Sequence, residues 1–302
     1  VLVDPEQALK ADAPKIHDDL DSNILAEREF SRGEVDDAFA AAAQTAGGRF
    51  HFTRTTPVTI EARASVAEYD KGARSLTLHC TTQIPGIVRD KLSEIFDLPG
   101  PRIRVIAPDV GGGFGGKTSL YSEEIVACAI ARDLGRPVKW VSDRMEDLMT
   151  TGNAFDEIVD AEIAVDNDGK ILAVKADVIG DVGAYSIYPW TATIEPVQVV
   201  SFLPGPYRIA NYAARVRAVA TNKTLTGAYR GVGRPISVFV MDRLLDMAAR
   251  KIGMDPAEIR RRNLVNDDEF PYKAASGLVW DKSAFQACLA VAAENIGYDE
   301  LR

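Results

Sequence analysis

The stretch Val110-Gly111-Gly112-Gly113-Phe114-Gly115-Gly116-Lys117-Thr118 constrains the fold more than any other part of the chain. Five glycines in six positions would weaken the interior of a helix or strand, but they let a backbone approach a ligand closely. An apolar run with Ile103, Val105 and Ile106 precedes them, and a helical pattern follows. In a strand–loop–helix unit of this kind, successive N–H groups form an anion-binding concavity with the positive end of the helix behind it. The expected guest is a phosphate or an oxygen-rich cofactor. Read alone, Gly111-x-x-x-x-Gly116-Lys117-Thr118 also satisfies the P-loop (Walker A) pattern, in which Lys117 would reach phosphates and Thr118 would hold magnesium. A tight turn that uses glycine for steric reasons alone is the third reading, and the number of glycines argues against it.

The composition removes several classes of function. The chain has 302 residues, enough for two modest domains or one large one, and 46% of them are apolar. Acidic residues outnumber basic ones by 44 to 35, for a net charge of -9, which argues against nucleic acid or an anionic membrane as a main partner. No apolar run approaches the roughly eighteen residues that a membrane-spanning helix requires. Cys80, Cys128 and Cys288 are scattered and odd in number, the usage of reduced thiols in a cytoplasm. His17, His51 and His79 have no ligand spacing among themselves or with the cysteines, so no metal-ligand set is expected from side chains. Val1-Leu2-Val3-Asp4-Pro5 reads like the interior of a protein, and a fragment or a processed subunit is expected.

The periodicity predicts an α+β protein of two similar lobes, each a mixed β-sheet with packed helices. Residues 1–45 read as an extended lead-in lying over another domain, with a short helix from Val35 to Ala46. Residues 46–150 form the expected first lobe, which carries the glycine loop. Its strands are sought within Thr53–Tyr69, at Ser75–Gln83 and at Arg102–Ala107, and its helices over Ile87–Phe96 and Glu123–Leu134. Ser122 is the expected cap of the second helix and Gly135 its stop. Residues 151–302 form the expected second lobe. There Asp166-Asn167-Asp168-Gly169 joins two strands as a hairpin, and Pro235–Ile252 has helical amphipathicity closed by Gly253. Asp255-Pro256 starts a further helix. Gly180 to Tyr212 reads as a long functional loop rich in aromatics and proline.

A second unusual stretch, Gly227-Ala228-Tyr229-Arg230-Gly231-Val232-Gly233-Arg234-Pro235, sets two arginines among glycines, suited to holding anionic or carbonyl oxygens. Taken together, the two loops resemble those of the molybdenum hydroxylases, the family of xanthine dehydrogenase, aldehyde oxidase and the carbon monoxide dehydrogenase large subunit. Further segments match in order: Thr81-Thr82-Gln83, Asp181-Val182-Gly183-Ala184-Tyr185, and Asp255-Pro256-Ala257-Glu258-Ile259-Arg260-Arg261-Arg262-Asn263-Leu264. The resemblance runs through nearly the whole chain. It weakens the P-loop reading, as does Pro108-Asp109 between strand and loop, with helix signals that begin only at Ser122.

The resemblance implies a first molybdopterin-binding half of such an enzyme, holding molybdenum on molybdopterin, with the cytosine dinucleotide form expected. It implies hydroxylation of an aldehyde carbon or of a carbon beside nitrogen, with water as oxygen source. Electrons would leave through FeS clusters and FAD on partner subunits or domains. Gln83 is implied as a donor to an oxo ligand, and Gly113, Phe114 and Gly115 as the backbone facing the molybdenum. Arg230 is implied as the catalytic cation that stabilises negative charge on the substrate oxygen. Thr118 stands where purine hydroxylases carry a substrate-gripping glutamate, which disfavours xanthine. Gly231 stands where the most studied carbon monoxide dehydrogenases carry a copper-binding cysteine, which disfavours a copper–molybdenum site. Tyr185, Tyr188 and Trp190 are candidate pocket walls. The family's catalytic glutamate lies in a Gly-Glu motif of a second cofactor-binding domain downstream, and no such motif follows the two loops in this sequence. Glu61 and Glu195 lack the glycine context of a substitute. The chain is therefore expected to be inactive alone, and a purely scaffolding role within the same assembly is the non-enzymatic alternative.

Overall fold

The computed structural model describes residues 1–191 and 193–302. Asp4 caps a single-turn helix α1 (Pro5–Ala8), accepting from the backbone of Glu6 and Gln7. β1 (Ile24–Arg32), α2 (Val35–Ala40) and β2 (Gln44–Phe52) follow. The next elements are β3 (Ala64–Asp70), β4 (Ser75–Cys80), α3 (Pro85–Phe96), β5 (Ile103–Ile106), α4 (Ser122–Leu134), β6 (Val138–Val141) and α5 (Arg144–Thr150). Then come β7 (Glu157–Val165), β8 (Ile171–Gly183), α6 (Ile194–Phe202), β9 (Asn211–Ala220), α7 (Arg234–Ile252) and α8 (Pro256–Asn263). The chain closes with β10 (Tyr272–Lys273), β11 (Val279–Trp280), α9 (Phe285–Asn295) and α10 (Tyr298–Leu301). Among the described residues no helix is long and apolar enough to cross a membrane.

Two mixed sheets organise these elements. The smaller runs β5-β4-β3-β6, with β4 and β5 parallel and the other pairs antiparallel. Leu76, Leu78 and Cys80 alternate inward from β4 against Val88, Leu92 and Phe96 of α3 and Ala127, Cys128 and Ala131 of α4. Gly135 ends α4 in the left-handed region at φ 64°. The larger sheet runs β1-β9-β8-β7-β2, with only β8 and β9 parallel. Its inward residues, among them Val159, Ile163, Val174 and Val178, pack on Ile236, Val240, Met241, Leu244 and Leu245 of α7. The hairpin between β7 and β8 forms as expected: Asp166 Oδ1 accepts from Asp168 N and Lys170 N, both at 2.9 Å. Asp255 caps α8 through Ala257 N at 2.8 Å and Glu258 N at 3.0 Å.

The sheets divide the chain differently from the linear boundaries expected at residues 45 and 150. β1 is an edge strand of the larger sheet, paired along its length with β9, and α1 buries Ala8 on Ile179 and Val219. The first residues are thus part of the fold and not a lead-in over it. β2 likewise leaves its sequence neighbours and pairs with β7. That pairing overrides the helical composition of Val35 to Ala46, where α2 stops at Ala40. The stretch after Gly180 is not one loop, because parallel strands need a crossover and this one carries α6. No residue of α6 is exposed, so it lacks a solvent face and its helical period is hidden. The cap of α4 is Tyr121 and not Ser122: Tyr121 N donates to Glu124 Oε2 at 3.1 Å.

Candidate functional site

The glycine loop folds back on itself directly after β5. Gly116 N donates to Gly113 O at 2.9 Å, and Thr118 N and Oγ1 donate to Gly115 O at 3.0 and 2.5 Å. Glycine is required at two places in particular. Gly115 takes φ 103°, and a Cβ there would lie 2.3 Å from Ala228 O; a Cβ on Gly113 would lie 2.3 Å from Gln83 Oε1. Phe114 adopts φ 50° and is 48% exposed.

Lys117 forms the floor of this loop. It is 2% exposed, and its ammonium donates to Glu61 O and Glu61 Oε2, both at 2.9 Å. Glu61 Oε2 also accepts from Gly111 N at 2.7 Å. Partial burial pushes the Glu61 carboxyl up, but the Lys117 and Gly111 hydrogen bonds outweigh it and hold the carboxyl below its usual range. The P-loop alternative is corrected here. Its lysine points beneath the loop into an ion pair, the Thr118 hydroxyl is spent on Gly115, and the helix starts only at Ser122.

Gln83 stands beside the loop, anchored by its own N–H to Lys117 O at 2.9 Å. Its Oε1 accepts from Gly115 N at 3.0 Å. Because that N–H needs an acceptor, the amide orientation is fixed and the NH₂ is left as a donor with no partner among the described residues. The N–H groups of Gly113 and Phe114 have no partner among the described residues.

The arginine loop packs on the glycine loop through backbone. Arg230 N donates to Phe114 O at 3.0 Å. The Arg230 side chain is exposed and makes no hydrogen bond or ion pair among the described residues. Arg234 is occupied otherwise: its guanidinium reaches Gln198 Oε1 at 3.2 Å and lies 4.2 Å over the Phe202 ring. Gly231 takes φ 97° beside Pro235. Of the aromatic candidates, Trp190 is tied to the site, donating from Nε1 to Thr118 O at 3.0 Å. Tyr188 lies under the Lys91 ammonium at 5.1 Å and Tyr185 against His17 at 5.3 Å.

Behind the arginine loop lies a charged cluster that the sequence reading missed. Asp156 pairs with Arg54 at 2.9 Å and Lys223 at 2.8 Å, and Asp181 pairs with Lys223 at 2.8 Å and Arg54 at 3.4 Å. Asp181 also accepts from Gly183 N at 3.1 Å and Thr221 Oγ1 at 2.6 Å, which accounts for the Asp-Val-Gly-Ala-Tyr segment as a structural brace. Beside it, Glu157 and Glu195 are each 1% exposed; Glu157 stands opposite Gly180 of β8, and Gly180 lies against Pro196, the residue after Glu195. Burial pushes both carboxyls up, and the neighbouring carboxyl raises Glu157 further. Glu195 Oε1 accepts from Phe155 N at 2.5 Å. Phe155 and Asp156 sit at φ 65° and 89°, a strain on the order of 1–3 kcal/mol each that surrounding contacts must hold. A signal existed: Glu157 falls on the buried phase of β7 with Val159, Ala161 and Ile163.

Gln83, Gly113, Phe114, Gly115 and Arg230 therefore come together, and Thr118 lies immediately beneath them. The groups left without a partner among the described residues are hydrogen-bond donors: two backbone N–H groups, an amide NH₂ and a guanidinium. That set fits an oxygen-rich, anionic cofactor held by hydrogen bonds.

Comparison with known proteins places the chain. Residues 16–264 match the molybdopterin cofactor-binding domain family. The chain is 35% identical to the carbon monoxide dehydrogenase large chain of Hydrogenophaga pseudoflava, covering 100% of this chain and 39% of that protein. It is 32% identical to the nicotine 6-hydroxylase large subunit of Paenarthrobacter nicotinovorans, covering 99% of this chain and 36% of that protein. The structure of quinoline 2-oxidoreductase from Pseudomonas putida 86 superposes with a TM-score of 0.96 at 34% identity, over 100% of this chain and 38% of that one. The chain thus spans under two fifths of the length of these relatives. Both loops fall within the matched residues, and the chain belongs to the molybdopterin cofactor-binding domain family of the molybdenum hydroxylases.

Proposed function

We propose that the protein containing this chain is a molybdenum hydroxylase that oxidises an aldehyde or an aromatic N-heterocycle, with water as the oxygen source. The observation that carries this reading is the meeting of the two loops at Arg230 N and Phe114 O, with donors on Gln83, Gly113, Phe114 and Arg230 left without a partner among the described residues. Gln83 Nε2 and the N–H groups of Gly113 and Phe114 would hold the oxygen atoms of a molybdopterin, in the cytosine dinucleotide form by likeness to the family. When bound, that group supplies the two-electron redox chemistry. Arg230, whose backbone N–H is hydrogen-bonded to Phe114 O, would bring its guanidinium to the same face, where negative charge would develop on a substrate carbonyl oxygen or ring nitrogen as the carbon is oxidised. Backbone packing fixes the position of Arg230, and no carboxylate among the described residues pairs with it.

The surroundings select the substrate. Thr118 offers no carboxylate to a purine, and its hydroxyl is already committed to Gly115. Gly231 has no thiolate for copper, which disfavours carbon monoxide despite the similarity to carbon monoxide dehydrogenases. Trp190, pinned to Thr118, supplies an aromatic wall suited to a flat ring. A second cofactor-binding domain would supply the catalytic glutamate and most pterin phosphate contacts, and FeS and FAD partners in the cytoplasm would take the electrons.

The test uses the parent holoenzyme with its partner subunits, assayed for molybdenum, pterin and turnover of aldehydes and N-heterocycles. Arg230→Met is expected to lower kcat/KM by about 100- to 1,000-fold with molybdenum and pterin content unchanged. Unchanged turnover would leave a scaffolding role, and absence of molybdenum from the parent protein would end the hydroxylase reading.

A further inference from the structure

Glu195 of the buried Glu157–Glu195 pair backs the arginine loop from two directions, once through Phe155 and once through its own backbone. Through its side chain, Glu195 holds Phe155 N–H at 2.5 Å, and the Phe155 ring meets the Tyr229 ring edge-on at 5.9 Å between centroids. Tyr229 is the residue before Arg230. Through its backbone, the first turn of α6 is wedged against the start of α7: a Cβ on Gly233 would lie 2.4 Å from Glu195 O and 2.5 Å from Val199 N. Glu195 therefore backs both ends of Tyr229–Gly233, the segment that presents Arg230.

The protonation of the pair follows from its surroundings. Glu157 Oε2 and Glu195 Oε2 are both buried, and neither has a hydrogen-bond partner among the described residues. A proton between the two carboxyls satisfies both oxygens at once. The charged groups facing the pair are Arg54 from the segment after β2, Lys223 after β9, Asp156 before β7 and Asp181 on β8, with His51 of β2 at 3.9 Å from Asp156. Arg54 and Lys223 are already matched by Asp156 and Asp181, so no spare cation is left for a second carboxylate. Removing the shared proton would put two like charges in contact in a buried site.

We propose that Glu157 and Glu195 form a proton-sharing pair that positions the arginine loop, and that the loop slackens around Arg230 when the shared proton is lost. Glu157 is the donor, Glu195 the acceptor that in turn fixes Phe155, and both are positioning residues. Neither reaches the reacting atoms, so the pair differs in kind from the catalytic base that the downstream domain would supply. The link to turnover rests on the hydroxylase reading above; the link to loop order does not.

Amide hydrogen exchange separates the two. In the parent holoenzyme, exchange in residues 153–158 and 228–234 would be compared between wild type and Glu157→Gln across roughly pH 6 to pH 10. The glutamine keeps a donor toward Glu195 and cannot lose it. At the acid end the two proteins should match. At the alkaline end wild type should exchange about tenfold faster in these segments than the variant, and its kcat should show an alkaline fall that the variant lacks. Glu195→Gln, whose carbonyl still accepts from Phe155 N–H and whose amide donates to Glu157, should behave like Glu157→Gln. Identical exchange in wild type and both variants at every pH would overturn the proposal. So would loosening of the segments by both variants already at acid pH, since a proton would then not be what holds them. An exchange difference without any turnover in the parent protein would keep the positioning pair and discard the hydroxylase reading alone.

Discussion

The two loops that meet at the site rest on opposite kinds of foundation. Beneath the glycine loop a buried cation, Lys117, meets a carboxylate, Glu61, that is itself held ionised. Behind the arginine loop two carboxyls meet each other and need a proton. The signs of their pH dependence are therefore opposed. Glu61 has its folded value depressed, so its contribution is present above the ordinary carboxylate range and is lost as pH falls through the depressed value. The Glu157–Glu195 pair has its folded values raised, so its contribution is complete below the ordinary range and is lost as pH rises through the raised values. One loop is fixed across the neutral and alkaline range, while the other can slacken within it. The rigid loop is the one that would hold the cofactor, and the adjustable one carries Arg230.

The comparison breaks most directly where the loops touch. Gly115→Ala would force a side chain into φ 103° and place its Cβ 2.3 Å from Ala228 O. Strain and overpacking together should cost about 4 kcal/mol, read as a lowered denaturation midpoint. Gly48→Ala, where a Cβ meets nothing within 4 Å, is the control and should be nearly silent. Equal midpoints for the two variants would mean that the loops are not wedged together. Lys117→Met should cost slightly less, about 3 kcal/mol, the lower end of the loss for breaking a buried pair, because Glu61 keeps 35% of its side chain in water. Its deficit should shrink in acid, where Glu61 is protonated. A deficit that grows in acid would show that the lysine is not bracing a carboxylate.

Much of this architecture was legible in the sequence, and the rest was hidden for physical reasons. Gly135, Gly253 and the Asp255-Pro256 cap mark helix ends by local chemistry, and Val138–Val141 shows a strand by its residue types. All of the expected site residues except Gln83 lie on the two loops, because glycine density and adjacent arginines are local signals. The membership of β1 and β2 in the larger sheet was not legible, since it depends on pairing with β9 and β7 far along the chain. Nor was the bracing of either loop. Nothing near Glu61 in sequence announces Lys117, and Glu157 and Glu195 come together only because β7 and the crossover helix α6 are packed into one core. The chemistry-bearing groups are readable one by one, but what holds them is a product of tertiary contact.

A third raised carboxyl sharpens the comparison, because it lies on the side of the molecule credited with being insensitive to alkali. Glu124, on α4 in the smaller sheet's lobe, is 3% exposed, and burial pushes it up to about 7 against the restraint of the Tyr121 N–H. Its folded value lies above the unfolded one near 4.3, so its contribution is complete in acid and is lost as pH rises through about 7. Glu124→Gln keeps an acceptor for Tyr121 N and removes the ionisation. The variant should be no more stable than wild type near pH 5, and more stable by an amount on the order of 2 kcal/mol near pH 8. Thermal unfolding at the two pH values checks this. If the loops differ as their foundations imply, this substitution flattens the overall stability curve but leaves the alkaline exchange of residues 228–234 untouched. The carboxyl that caps α4 then sets global stability, and the pair behind Tyr229 sets the arginine loop. Exchange of that loop slowed by Glu124→Gln would mean that the two lobes titrate as one, and the division between a fixed and an adjustable loop would have to be given up.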